Sequence, residues 1–352
     1  MSYVHDYILN KNDRKISYAE FMELCLYHPQ YGYYMSNKEK IGPSGDFITS
    51  SNIADVYGKT IAGWYYKEAN KHGLPAQICE IGAGNGRFAK AFIDEWSTIT
   101  NEPLHYFLID GSLNHLEKQK ELLPITANIK QLSDVNQLPP FSGLIFSNEL
   151  FDALPVHVIE KQESGIFEVM ITVCEDKLIE EKIPLKNQSI ADFVLQSKLS
   201  LANGQRIEIP LAMEEVISKI AKSLIRGLVL TVDYGYTNLE WAQPQRHSGS
   251  LRGYHGHQMV YNILQTPGKI DITTHIHFDS FIRIGEEHQL LMMNKWRQDE
   301  FLLHAGIFDQ LQNHKDQNPF SEAGKRNRAI RSLIMSSGIS QAFHVILQEK
   351  NI

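Results

Sequence analysis

The residues best equipped for chemistry sit together in one stretch, Gln77-Ile78-Cys79-Glu80-Ile81-Gly82-Ala83-Gly84-Asn85-Gly86. It reads as a short apolar strand that ends on an acid and then turns on three alternate glycines. Alternate glycines permit a tight turn and a close backbone approach to a ligand. An acid at the strand end disfavours a phosphate and suits an ammonium or a hydroxyl. The dinucleotide fingerprint Gly-x-Gly-x-x-Gly lacks its third glycine, because Arg87 stands there, and no phosphate loop ending in Lys-Ser/Thr follows. The pattern therefore points to a phosphate-free adenosyl sulfonium, S-adenosylmethionine, as cofactor.

A βα rhythm must position these residues. Short apolar runs at 78–81, 106–109, 128–132, 143–146 and 228–232 read as strands, with helices over 87–96 and 112–122. Such alternation predicts a mostly parallel sheet covered on both faces. In an open parallel sheet, ligands bind beyond the carboxyl ends of the strands. Five polar clusters fall there: Glu80 with its glycines, Asp110, Asp134, Asn148-Glu149, and Asp233. Glu80 is expected to hold the ligand's amino group, directly or through water. Gly82, Ala83, Gly84 and Gly86 leave room for the amino-acid portion and the ribose. Asp110, followed by Gly111, is expected to accept from both ribose hydroxyls. Asp134 would accept from the adenine amino group, with the Val135 backbone donating to the ring. The competing reading is that strand-end acids are merely exposed and the glycines only turn the chain.

Outside this rhythm, Ser17 with Glu20 fits a helix capping box, and the helix should end near Tyr27, before His28-Pro29. A second helix is predicted over 53–70. Residues 156–210 carry β-like runs and a helix at 190–199, outside the main repeat. Another helix follows over 211–224, a loop with some helix over 237–285, and late strands near 288–294 and 342–347. The expected organisation is an N-terminal extension over 1–70 and a catalytic domain over 71–350, with insertions near 156–210 and 237–285.

With 352 residues, 43% of them hydrophobic, the chain can bury one large core or a core with an insertion. A formal net charge of -7 argues against bulk attraction to nucleic acid or anionic membrane. Cys25, Cys79 and Cys174 are far apart, which excludes a thiolate zinc framework and fits a reducing cytoplasm. Residues 1–13 contain acids and no apolar run, so neither a secretion signal nor a transit peptide is expected. No apolar run approaches a membrane span. The pairs His255/His257 and His275/His277 have strand spacing, which puts each pair on one face. No metal framework accompanies them, and no metal is expected; support of a loop or of backbone groups is the simpler role.

These residues resemble those of the MidA-like methyltransferase family, which includes mitochondrial complex I assembly factors and bacterial relatives. The matching strings are YHPQYGYY (27–34), GDFITS (45–50), EIGAGNGR (80–87), NELFDALPV (148–156), EIP (208–210), VDYGY (232–236) and GKIDITTHIHF (268–278). They run in order over about 250 residues, and NELFDALP and GDFITS are the most specific. The resemblance implies an α/β fold, the seven-stranded class I S-adenosylmethionine-dependent methyltransferase fold, with an N-terminal helical extension and an inserted α+β segment. It implies that the loop containing Gly45, Asp46, Phe47, Thr49 and Ser50 surrounds the cofactor, and that Asn148-Glu149 lies at the substrate face. It also implies protein arginine methylation, and hence a protein partner presenting an arginine.

A planar guanidinium pairs well with a carboxylate. Glu149 is the first candidate for that pairing and Asp152 the second, unless Asp152 caps a helix after the fourth strand. Asn148 would orient the substrate or sulfonium, and Asp233 would complete an acidic wall. A cofactor-binding assembly protein, or a methyltransferase acting on a small molecule or nucleic acid, is the alternative. The chain departs from the family pattern at Ser51-Asn52, where Pro-Glu is usual, and at His277, where Asp or Asn is usual. A histidine there adds a group that can titrate near neutrality. Membrane insertion and nucleic acid are not expected, and the oligomeric state is left open.

Overall fold

Seven strands build the sheet that carries the glycine turn: β1 (Gln77–Ile81), β2 (His105–Ile109), β3 (Ile129–Leu132), β4 (Phe141–Asn148), β5 (Leu224–Tyr236), β6 (Leu291–Arg297) and β7 (Phe343–Lys350). Their spatial order is β6-β7-β5-β4-β1-β2-β3. Neighbours from β5 through β4, β1 and β2 to β3 pair in parallel. Only β7 is reversed, running antiparallel to both β5 and β6. A two-residue strand, Ile276–His277, pairs with the last residues of β5. The structure, a computed structural model, describes residues 2–36, 55–256, 258–312, 321–335 and 342–352.

The chain divides into two compact units. The first to be described comprises Ile41–Leu150, Ser218–Tyr234 and Gly285–Ile352 and holds the parallel sheet. Its central strands carry apolar runs, as burial on two faces requires: Ile78, Leu108, Leu144, Ile145, Leu228 and Leu230 are fully buried. The helix Val56–His72 packs on the helix Arg87–Ile99 that follows the glycine turn. Their backbones meet at Gly58, where a Cβ would lie 2.9 Å from both Ala91 Cβ and Phe88 O. Phe88 stacks on Phe146 of β4 at 4.3 Å between centroids, which ties that helix to the sheet centre. Val56–His72 matches the helix expected at 53–70, but its buried face belongs to the sheet's own core.

The other unit comprises Met1–Lys40, Phe151–Ile217 and Gly235–Ile284. It contains a five-stranded antiparallel sheet. Lys15–Ser17 pairs with Gly165–Cys174, which joins the N-terminal segment to the insertion. The capping box forms as expected: Glu20 N donates to Ser17 Oγ (3.1 Å) and Ser17 N to Glu20 Oε2 (3.0 Å). The helix then loosens to a π-turn over Glu23–Tyr27 and stops before His28-Pro29. Lys177–Pro184 is a strand, largely open to solvent, that falls within the β-like runs expected over 156–185. Two features differ from expectation. Tyr3–Leu9 is helical. Within the predicted loop 237–285, Arg252–His255, Gln258–Val260 and Asp271–Thr273 form a small sheet. Three- and four-residue strands carry too few side chains for an alternation to stand out.

Candidate functional site

The carboxyl ends of four strands line up in register. Ile81 pairs with Ile109 and with Ser147, and Asn148 pairs with Val232. The turn after β1 has Gly82 at φ 75°, Gly84 at φ 53° and Gly86 at φ 80°. All three lie in the left-handed region, where a side chain would be strained. Gly82 and Ala83 both donate their N–H to Ile109 O, at 2.9 and 3.1 Å. The turn is therefore tied to the end of β2.

Glu80 is 5% exposed. Its Oε2 accepts from the Tyr106 hydroxyl at 2.7 Å, its one hydrogen bond among the described residues. Burial pushes its carboxyl up to about 8; the Tyr106 hydrogen bond opposes this, and the Asp110 charge adds to it. A buried carboxyl with one neutral partner and no cation fits a ligand ammonium. Tyr106 was not singled out from the sequence; the only signal is that it faces Glu80 from the adjacent strand, two places out of register.

Asp110 is already well occupied. Its Oδ2 accepts from Gly84 N (2.8 Å), its Oδ1 from Ser112 N (2.9 Å), and His115 Nδ1 lies 3.1 Å from both oxygens. A carboxylate offers about four acceptor sites. Three donors leave room for one ribose hydroxyl, whereas two were expected. His115 and Gln119 stand four residues apart on one face of the helix Leu113–Leu122 and are its buried residues. Gln119 Nε2 donates to Gly84 O at 2.8 Å. This polar face buttresses the glycine turn, and the i, i+4 spacing is the signal that could have revealed it. A Cβ on Gly111 would meet nothing within 4 Å.

Asp134 is exposed and caps the 3₁₀ turn Val135–Gln137, accepting from Asn136 N at 2.7 Å. One carboxylate oxygen is thus committed to the chain, and the Val135 side chain is buried. At the end of β4, Asn148 Nδ2 donates to Glu149 Oε1 at 3.1 Å, and Asn148 Oδ1 is buried without a partner. Glu149 has φ 50°, a left-handed conformation in a non-glycine residue, fixed by its N–H to Val232 O at 2.9 Å. Such strain is worth about 1 kcal/mol or more and persists only where neighbours enforce it. Asp233 is 1% exposed and its Oδ1 accepts from Tyr234 N at 2.9 Å. The residues Gly45, Asp46, Phe47, Thr49 and Ser50 lie outside the described residues.

Asp152 belongs to the other unit. Residues 151–154 bend and turn and 155–156 are irregular, so no helix begins there for it to cap. It is 3% exposed, and its carbonyl accepts from Thr274 N at 2.9 Å. The same unit holds His277, which is fully buried. His277 Nε2 donates to Glu208 O at 2.8 Å, and its ring stacks on Trp241 at 4.7 Å. Burial pushes His277 down to about 4. The expectation that it titrates near neutrality is therefore corrected: it is a neutral, backbone-satisfying histidine. His275 is likewise pushed down to about 3, by burial and by the Arg252 and Arg246 charges. No group of three metal-binding side chains occurs among the described residues. Glu208 accepts from Ser250 N, Ser250 Oγ and Leu251 N through its carboxylate, at 2.9–3.1 Å.

One reversed strand in a seven-stranded parallel order, with a glycine turn after β1, defines a class I S-adenosylmethionine-dependent methyltransferase. Residues 60–294 match the family described as "Putative S-adenosyl-L-methionine-dependent methyltransferase", and the chain belongs to that family. It is 25% identical over 338 residues to the mitochondrial protein arginine methyltransferase NDUFAF7 of Danio rerio, covering 84% of this chain and 74% of that one. The human counterpart is also 25% identical, with 84% and 71% covered. A crystal structure from Burkholderia thailandensis, bound to S-adenosyl-homocysteine, superposes with a TM-score of 0.86 at 25% identity, covering 96% of this chain and 88% of that one. The chain is thus an S-adenosylmethionine-dependent methyltransferase. No helix among the described residues is long and apolar enough to cross a membrane.

Proposed function

We propose that the methyl group goes to an arginine side chain of a protein. The observation that carries this reading is Glu149: a half-buried carboxylate, held in a left-handed conformation at a strand end, with the Asn148 amide on one oxygen. That is an oriented acceptor for a donor-only, planar cation. The names of the mitochondrial relatives support the same acceptor. The cofactor, when bound, supplies a methyl group already activated by its sulfonium charge.

In this reading Glu80 accepts from the ammonium of the cofactor and Asp110 from one ribose hydroxyl. The turn at Gly82, Ala83, Gly84 and Gly86, with Gly111, gives the backbone approach. Asp134 and Val135 face the adenine. Glu149 accepts from two guanidinium N–H groups and aligns the attacking nitrogen. As the new N–C bond forms, the C–S bond breaks with its electron pair on sulfur, and the nitrogen gives up one proton to solvent. Catalysis is then chiefly orientation and exclusion of water. Asp233 and Asp152 contribute buried negative charge, each within its own unit. Three dispersed cysteines, all free, support a cytoplasmic setting.

The test is incubation with labelled S-adenosylmethionine and a lysate from cells lacking this protein, followed by mass mapping of the product. The label should sit on an arginine; a methyl group on another residue type, nucleic acid or a small molecule would reject the acceptor. E149Q should lower transfer on the order of a hundredfold while leaving S-adenosylhomocysteine affinity nearly unchanged. Near-normal transfer would reject the carboxylate's role.

A further inference from the structure

Gly84 is held on both sides of its Cα. Its N–H donates to Asp110 Oδ2 at 2.8 Å, and its carbonyl accepts from Gln119 Nε2 at 2.8 Å. Both peptide planes that flank this left-handed residue are thereby fixed. Gln119 is fully buried, and its stem comes so near the turn that a Cβ on Gly86 would lie 3.1 Å from its Cγ. Behind Gln119 stands Gln131 of β3, the last strand on that side of the sheet. Gln131 Nε2 donates to Gln119 Oε1 at 2.9 Å and to Leu116 O at 2.6 Å. Backbone carbonyls thus stand at both ends of this chain of bonds, and a carbonyl can only accept. Leu116 O requires the NH2 end of Gln131, which requires the oxygen of Gln119, which leaves the NH2 end of Gln119 for Gly84 O. Only one orientation of the two amides satisfies every group.

We infer, resting on the reading of the glycine turn as the cofactor's cradle given above, that Gln131 and Gln119 are positioning residues for the cofactor. Gln131 sets the direction of the Gln119 amide, and Gln119 holds the peptide between Gly84 and Asn85 in the orientation that receives S-adenosylmethionine. All of these residues belong to the sheet-bearing unit. Packing alone does not call for the pair, since methionine has the same reach as Gln119 and no polar group to satisfy. What the amide adds is direction. Were residue 131 an acceptor only, Gln119 would turn its NH2 end toward it and present its oxygen to Gly84 O. Two acceptors would then face each other at a buried position, where an unmade hydrogen bond costs most. A change on the edge strand thus reaches the cofactor through the rotation of one amide.

Q131E and Q131M test this together. Both lose the donor to Leu116 O and Gln119, but only Q131E, measured at pH 8 where a glutamate is ionised, reverses the Gln119 amide. Calorimetric affinity for S-adenosylhomocysteine should weaken about tenfold in Q131E, the size of one buried hydrogen bond turned into a repulsive contact, and about threefold in Q131M. In transfer of labelled methyl to lysate protein, Q131E should raise KM for S-adenosylmethionine about tenfold while kcat falls far less, a split that a loosened fold does not produce. In a Q119M background, which has no amide to turn, Q131E should weaken binding no further. Equal weakening by Q131E and Q131M, unchanged affinity in Q131E, or the full Q131E effect on Q119M would overturn the inference. Should Q131E not fold, Q119E presents the same reversed oxygen to Gly84 with Gln131 intact and should weaken binding about tenfold; wild-type affinity there overturns the inference equally. The Gly84 amide signal of ¹⁵N-glycine-labelled protein, identified with G84A, separates the two readings. If it does not shift when S-adenosylhomocysteine saturates the wild type, the cradle reading fails and the role of the two glutamines with it. If it shifts and Q131E binds as the wild type does, only the role of the glutamines fails.

Discussion

Cofactor binding should expel a proton from Glu80. Its carboxyl is buried, meets only the Tyr106 hydroxyl among the described residues, and is held up to about 8. At pH 7 it is then roughly nine-tenths protonated in the free protein. An ammonium brought against it reverses the balance, because a nearby opposite charge favours the ionised form. Direct pairing should therefore release about 0.9 proton per cofactor bound at pH 7, and about 0.1 at pH 9. The assay is calorimetric titration with S-adenosylhomocysteine in buffers of different ionisation enthalpy, where the slope of observed against buffer enthalpy counts protons. E80Q keeps the neutral shape and should bring the slope near zero. The stability of the free protein carries the same signature. The raised carboxyl contributes stability that is full below the ordinary carboxylate range and is lost as pH rises through about 8. The upper bound on that loss is about 5 kcal/mol, and E80Q should not show it. A wild-type slope of zero at pH 7 with normal affinity would refute direct pairing and favour contact through a water.

Two further outcomes concern the other unit. His277 is pushed down to about 4, so the unfolded chain takes up a proton there before the folded one does; stability is present above the ordinary histidine range and is lost as pH falls toward 4, by about 3 kcal/mol. Thermal melts of H277Q, whose amide can donate where Nε2 does, should show a shallower acid loss; an unchanged slope would sink this account. Glu208 gathers three donors from Ser250 and Leu251 on one buried carboxylate. E208Q should cost about 1.5–3 kcal/mol, read as a lower urea midpoint, and an unchanged midpoint would show that the loop is held by something else.

The fold was largely legible because its signals are local. Five apolar runs, each closed by a polar residue at the strand end, announce β1 to β5, and the glycines make the tight turn their spacing implies. What the sequence does not show depends on contacts distant along the chain. Tyr106 matters because β2 lies beside β1. Lys15–Ser17 is a strand because Met170, Ile171 and Thr172 face it from more than 150 residues away. His277 follows the same pattern: residue type alone allows titration near neutrality, whereas burial lowers it and its Nε2 satisfies Glu208 O, the backbone role expected for it.

Asp110 shows how such distant contacts change chemistry and not only placement. Read as a strand-end acid, it had four acceptor sites to offer, enough for both ribose hydroxyls. In the folded chain it is a junction: Gly84 N–H comes from the turn, Ser112 N–H from its own backbone, and His115 from the next helix. The two backbone donors are fixed by the turn geometry. The His115 contact is shared between both oxygens at 3.1 Å and is the weakest of the three. A second ribose hydroxyl must therefore displace His115 or be bound elsewhere. The carboxylate proposed to hold the ribose thus also holds the glycine turn, so its loss would loosen the turn as well.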